Sequence, residues 1–351
     1  MERRDVQTVA RAYAQGIAGG AREKDVGGAL ARVQAVQAQD AEAAALGLRA
    51  RTEGLTAADV THATDVARTA VRGWFMRGTL QLIPAADARW LLDLFGPVHL
   101  ALATRRLREL DLAEDLCTRA STLIARAIAD EGPLTRAELT ARLGTLGVPP
   151  KGQPAIHLIR RTALEGAICH GPTRDGEATF ALLDDWLPAD GPPAHTGDAA
   201  VTELARRYRR AHGPSDAADF AQWSGLRITA CRKAWQATED SAPESGEEIP
   251  TGDVRLLPAF DNYLVGYRRR DLSVPAEHER RVWPGGGIIR ATVTLDGWAI
   301  GTWSGGRHGA EPVVELFDAA DDPVVTEGVA REGADLQRFY TASHKSPTAK
   351  P

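Results

Sequence analysis

Cysteine is scarce in this chain. The three present, Cys117, Cys169 and Cys231, lie far apart with no CxxC pair, so neither a zinc ribbon nor a thioredoxin motif can be built, and reduced thiols in a cytoplasm are the simplest expectation. Long apolar runs are missing too: nothing approaches the ~20 residues of a membrane span. The opening MERRDVQTVARAYAQGIAGG carries basic residues but no apolar core of an export signal, which predicts a cytoplasmic protein, neither exported nor embedded. No GxGxxG, Walker loop, HExxH or GxSxG stands in a credible setting, so nucleotide, zinc-peptidase and serine-hydrolase chemistry lack support, and no cofactor or metal is expected. The GGG at 285–287 is a turn signal.

What is present is ordinary globular material, with 43% hydrophobic and 25% charged residues over 351 positions. Such a length suits several modules of ~100 to 150 residues or less better than one core. The net charge of −5 argues at first against a polyanionic partner. Distribution matters more than the sum. Acid gathers in TEDSAPESGEEIPTGD (238–253) and DAADD (318–322), whereas arginine gathers in RRLR (105–108), RRYRR (206–210), RRR (268–270) and ERR (279–281). One such cluster is as easily a solvated helix face; four together favour an anionic ligand.

An internal echo organises the chain. GPLTRAEL (132–139) recurs as GPSDAADF (213–220), with a shorter form, GLTAADV, at 54–60. In each, Thr or Asp precedes apolar residues at helical spacing, which reads as an N-capped helix start. FAQWSGLRITACRKAWQA continues the third copy as two helices about a Ser224-Gly225 break, the second basic, the pattern of a helix-turn-helix. QPAIHLIRRTALEGAICHGP after the second copy gives a helix with Arg160 and Arg161, then a turn and strand, and VRGWFMRGTLQLIP gives a hairpin about Arg77-Gly78. From about residue 251 the short runs VRLLPAF, YLVGY, GGGIIRATVTLDGWAIGTW and PVVELF predict antiparallel strands of a small barrel or sandwich, with a hairpin turn at LDGW. The segment 238–252 is a linker or a long wing, and the polar tail TASHKSPTAKP is expected to be disordered.

In this order, VQAQDA, LRAR, WFMRGTLQLIPAADARWLL, GPLTRAEL, DFAQWSGL and LLPAFDNYLVGYRRR resemble the winged-helix DNA glycosylases typified by AlkZ and YcaQ, over about residues 5–317. The resemblance implies an α+β fold of three tandem winged-helix modules followed by a C-terminal antiparallel β-barrel, around a concave surface for duplex DNA. The division it suggests is 1–85, 86–190 and 197–250 for the winged helices, 251–340 for the barrel and 341–351 for the tail. It also implies removal of bulky N7-alkylated purines, interstrand crosslinks included, by a motif of glutamine, an aliphatic residue, then glutamine or aspartate. VQAQD places Gln37 and Gln39 there, with Ala38 smaller than the usual middle residue. The Gln-Gln form is similar to the branch associated with self-resistance to DNA-crosslinking natural products. The implied partner is double-stranded DNA carrying N7-alkylpurine lesions, with no membrane and no obligatory protein partner.

Two neutral amides suffice for such a lesion. A carboxylate usually stabilises an oxocarbenium-like transition state or activates water, but N7 alkylation already makes the purine cationic, so it leaves neutral without a general acid. An amide carbonyl can accept from the water while its NH2 donates elsewhere, fixing direction without proton transfer. In an extended segment i and i+2 point the same way, so residues 36–40 are expected to be irregular or extended, with Ala38 packed behind the glutamines. Asp40 is the neighbouring rival as a base. A β-hairpin facing the minor groove is expected at SVPAEHERRVWPGGGI (273–288), bringing His278, Arg280 and Arg281 to DNA, while Arg206, Arg207, Arg209 and Arg210 would track its backbone or pair with nearby acids. Two non-enzymatic alternatives stay open: a winged-helix transcriptional regulator and a drug-sequestering protein.

Overall fold

A computed structural model of the chain describes residues 3–20, 22–187, 194–238, 249–306, 310–318 and 322–341. The tail from residue 342 and the acidic stretch 239–248 lie outside the described residues. Residues 63–200 make one compact unit, and residues 1–62 with 201–351 make the other. Among the described residues no helix is long and apolar enough to cross a membrane.

The chain opens with α1 (Arg3–Ala14), α2 (Val26–Val33), the two-residue strand β1 (Val36–Gln37), α3 (Ala41–Arg49) and α4 (Ala57–Thr61). Thr56 caps α4 in a reciprocal box with Asp59, satisfying amides that a helix start otherwise leaves unpaired.

In the unit of residues 63–200, β2 (Ala70–Trp74) and β3 (Leu80–Pro84) pair antiparallel from Ala70↔Pro84 to Trp74↔Leu80, forming the hairpin expected about Arg77-Gly78. Its turn holds Arg77 and Gly78 at φ 55° and 66°. Next come α5 (Ala88–Glu109), α6 (Glu114–Glu131), β4 (Leu134–Thr135), α7 (Arg136–Leu143), α8 (Pro154–Leu164), β5 (Ile168–Arg174), β6 (Glu177–Leu182) and α9 (Leu183–Trp186). Thr135 and Glu138 box the start of α7, and Pro154 fills the first turn of α8, where its missing N–H is no loss. The sheet runs β4-β6-β5, and Asp175 and Gly176, both at positive φ, close its hairpin. Ile124, Leu139, Leu158, Ile159 and Phe180 are buried at the centre of this core.

The other unit resumes with α10 (Gly197–His212), α11 (Ala217–Ser224) and α12 (Ile228–Gln236). Asp216 caps α11, and Gly225 ends it in the left-handed conformation, so α12 follows after a short turn. The last elements are β7 (Val254–Leu257), α13 (Asn262–Val265), α14 (Glu279–Val282), β8 (Thr292–Leu295), β9 (Trp298–Gly305), β10 (Pro312–Leu316) and α15 (Pro323–Thr341). The predicted turn at LDGW is there, Asp296 and Gly297 joining β8 to β9 with positive φ.

Three expectations for this region are corrected. Among the described residues β7 to β10 form an open four-stranded antiparallel sheet, order β10-β9-β8-β7, and not a closed barrel. The reach to residue 340 fails because Pro323–Thr341 is a helix, which packs along β7 with Val325, Gly328, Glu332, Leu336 and Phe339 buried. Covering an edge strand with a helix serves where closure would otherwise be needed, and Gly328 permits the approach: a Cβ there would lie 2.4 Å from Val254. YLVGY is the second correction, since Asp261 caps it into a helical turn, its carboxylate accepting from the Tyr263 amide. Third, 273–288 is no hairpin. Residues 276–282 are helical turns, and only Gly285 and Ile288 form a bridge, around the GGG turn.

Candidate active site

Residues 36–40 are extended and then bend. Helix α2 ends on Gln34, at φ 70°, whose amide still donates to the Leu30 carbonyl. The chain then alternates: Val36 and Ala38 are buried, Gln37 is partly exposed, and Gln39 and Asp40 are exposed. This is the period-2 alternation that keeps an alanine inward and turns the flanking amides outward. Asp40 has a structural task. Extended at φ −99° and ψ 112°, it caps α3, its Oδ1 accepting from the Glu42 amide at 3.0 Å and the Ala43 amide at 3.1 Å.

Helix α3 is held at both ends, and so fixes the loop it follows. At its start the Tyr340 hydroxyl of α15 donates to Glu42 Oε1 at 2.5 Å. At its end Arg49 Nη2 meets Glu332 Oε2 at 3.0 Å and Arg49 Nη1 meets Asp335 Oδ2 at 2.9 Å. Just past it Arg51 makes a two-pronged pair with Asp261, Nη1 to Oδ2 and Nη2 to Oδ1, both at 2.8 Å and both side chains fully buried. A planar guanidinium fits a carboxylate in this way. Gly47 lets the elements close up, for a Cβ there would lie 3.1 Å from Val36 and 3.4 Å from Asp261. Burial pushes the Glu332 carboxyl upward, but Arg49, Arg255 and Arg22 outweigh it and hold the group below the ordinary range, helped by the Leu256 amide.

These anchors were not assigned in advance. LRAR and FDNY supply Arg49, Arg51 and Asp261, and the usable signal was two arginines beside an Ala/Leu-rich helix, a placement that demands buried partners. A cavity of about 500 Å³ opens on the same network, lined by Arg22, Glu53, Asp253, Arg255 and Arg338 among others; neither Gln37 nor Gln39 lines it.

The predicted DNA contacts fall into two groups. On α10, Arg206 and Arg207 converge on Glu203, at 2.7 and 2.5 Å; burial works to raise that carboxyl, yet the two guanidiniums hold it at about 2. Arg209 stacks 4.1 Å from the Trp235 ring centre and donates to its carbonyl. Arg207 and Arg210 also reach Gln34 Oε1 and the Ala31 carbonyl at 3.4 Å, which sets α10 beside the end of α2 just ahead of the glutamines. Arg210 is the most exposed of the four. In the second group His278 Nε2 lies 2.8 Å from Asp318 Oδ2, and His278 and Arg281 both pack on Phe317, while Arg280 is exposed.

A family model described as DNA glycosylase AlkZ-like matches residues 30–339. A Streptomyces sahachiroi protein named interstrand DNA cross-link repair glycosylase is 28% identical over 264 residues, covering 66% of this chain and 70% of that one. The solved structure of Streptomyces sahachiroi DNA glycosylase AlkZ is similar at a TM-score of 0.79 and 24% identity, over 98% of each chain. At that identity the likeness bears on fold.

Proposed function

The chain belongs to the AlkZ-like DNA glycosylase family, and from that premise we propose that it hydrolyses the N-glycosidic bond of bulky N7-alkylguanine in duplex DNA, crosslinked lesions included. Gln37 and Gln39 aim the water. The observation that carries this is the form of residues 36–40: non-helical, Ala38 buried, the two amides turned outward, and Asp40 occupied as a cap. Holding a nucleophile in near-attack geometry supplies up to ~7–11 kcal/mol in well-oriented cases, so aim alone accounts for much of the acceleration when the leaving base is already cationic.

Full extrusion of a crosslinked nucleotide is opposed by its tether to the other strand, so a site open to the groove suits the chemistry better than a closed pocket. Residues 1–85, 86–190 and 197–250 serve in this proposal as the three winged-helix modules that bind the duplex. Arg210 of the third module and Arg280 and Arg281 of the C-terminal region are exposed or partly exposed backbone contacts, with His278 beside the latter two. A relative named for interstrand DNA cross-link repair supports the inclusion of crosslinked lesions, and protection of a producer from its own DNA-alkylating metabolite is the role proposed with it. The deciding experiment incubates purified protein with duplex containing N7-methylguanine or an N7-linked crosslink and measures free base and abasic strand. Product that disappears in Gln37→Ala and Gln39→Ala is expected; intact substrate on every alkylated duplex tested would give the protein to the non-enzymatic binders.

A further inference from the structure

Arg160, on α8, is set apart from the arginines around it. Arg161 is paired with Glu114 and Glu165, Arg142 with Glu131, and Arg105 with Glu109. Arg160 instead donates through Nη2 to the Gly78 carbonyl at 3.0 Å, its Nε is buried without a partner, and no carboxylate of the described residues pairs with it. Burial lowers its pKa with no acid to oppose the effect. A cation left in this state is short of an anion.

Three elements adjoin it. The Gly78 carbonyl belongs to the β2–β3 turn, where Arg77 is held in the left-handed conformation and His99 Nε2 braces the Phe75 carbonyl at 2.6 Å. His157 precedes Arg160 by three residues on α8 and so shares its face. Arg106, near the end of α5, donates to Gln153 Oε1 at 2.7 Å, which draws it to the first turn of α8, and its carboxylate is Glu109. Burial, then Arg160 and Arg106, lower the pKa of His157, so both guanidiniums are near enough to repel its proton. Arg160 is thus a half-buried cation without a carboxylate among the described residues, beside the exposed Arg106, whose Glu109 is shared with Arg105, and such a cation calls for an external anion.

We infer that Arg160, Arg106 and His157, together with the Arg77-Gly78 turn, form a contact site for a phosphodiester group of the DNA backbone, an inference that rests on the chain acting on duplex DNA. Such a contact is blind to sequence and to damage, and it releases counterions when made. The test measures binding of undamaged duplex across a salt series for the wild type, Arg160→Gln and Arg106→Gln. For each lost phosphate contact the slope of log affinity against log salt is expected to shrink by about 0.9, with weaker binding on every sequence alike. Arg106 sits at the surface, so its variant reports even if Arg160→Gln unsettles the turn.

Folded variants that bind with the wild-type slope overturn the site while leaving the glycosylase proposal standing. A lower melting temperature with an unchanged slope likewise overturns it, because Arg160 would then merely brace Gly78. Failure of the wild type to bind duplex at all overturns the proposed function, and the site with it. Inorganic phosphate offers the same chemistry: a wild-type melting temperature that rises with free phosphate, alongside duplex binding indifferent to Arg160→Gln, would assign the site to the free ion and overturn the DNA contact.

Discussion

Asp40 offers the sharpest test of an amide mechanism, since it is the carboxylate next to the two glutamines and its structural task can be separated from a chemical one. Its Oδ1 accepts from the Glu42 and Ala43 amides, and Asn caps a helix about as well as Asp. Asp40→Asn therefore keeps the cap and removes only the charge and basicity. Asp40→Ala removes the cap as well, at ~1 kcal/mol, or about 2–4 °C of melting temperature for a unit of 150–250 residues. If Gln37 and Gln39 aim the water, Asp40→Asn should retain the wild-type rate within a few-fold under single-turnover conditions on an N7-methylguanine duplex, with a melting temperature within a degree or two. A general base at this position contributes ~10²–10⁴. A loss of that size in Asp40→Asn, with the protein still folded, would refute the two-amide account and move the chemistry to Asp40.

Asp261→Asn should lower stability by ~3–5 kcal/mol, because it strands Arg51 as a buried cation; a denaturation midpoint like the wild type would contradict this. Burial, with Arg72 adding to it, depresses His170 to about 3, whereas an unfolded histidine protonates below ~6.5. Above that pH the residue is neutral in both states; as pH falls from there toward 3 the unfolded chain alone takes up a proton, so stability declines over this window. Denaturation at successive pH values should show the decline, and His170→Phe should flatten it. Tyr340→Phe, which removes the hydroxyl that Glu42 accepts, should reduce kcat several-fold with KM little changed; equal loss in both constants would mean that α15 acts on binding instead of on the loop.

Local chemistry was legible wherever one residue decides a conformation. Thr56, Thr135 and Asp216 cap helices as their spacing predicts, and Asp296-Gly297 turns a hairpin. The non-helical form of VQAQD was also legible, from the requirement, implied by the family resemblance, that Gln37 and Gln39 face one way, as an extended segment allows and a helix does not. The helix that follows the open sheet was not, and the reason lies in α15 itself: two of its inward positions are Gly328 and Glu332, which break the apolar stripe by which a helix is recognised. Glu332 is inward because Arg49, Arg22 and the Leu256 amide surround it, a fact of tertiary structure that no local window contains. The hairpin at 273–288 failed for a related reason, since GGGI signals a turn without saying how long the flanking strands are. Charge clusters left two readings open, tracking DNA or pairing with nearby acids. RRYRR looks like one basic stripe, yet Glu203 takes up Arg206 and Arg207 and Trp235 takes up Arg209. Arg160, in a less conspicuous pair, is a half-buried cation with no carboxylate among the described residues.

The kind of chemistry proposed also explains why so much ionic structure lies behind a neutral site. A carboxylate base acts through charge, which tolerates some displacement because Coulomb attraction falls off slowly with distance. An amide contributes only direction, and a displacement near 1 Å can cost ~10²-fold in rate. The loop that bears Gln37 and Gln39 must then be fixed more tightly than hydrophobic packing alone ensures, since apolar contacts are not directional. Buried ion pairs add little stability over apolar replacements of similar volume, but the paired bonds of Arg51 with Asp261 and the branching of Arg49 to Glu332 and Asp335 are met in one geometry only. They fix the far end of the helix that Asp40 begins, which packs through Gly47 on Val36, and so give the proposed water-holding loop the geometric definition that two amides require.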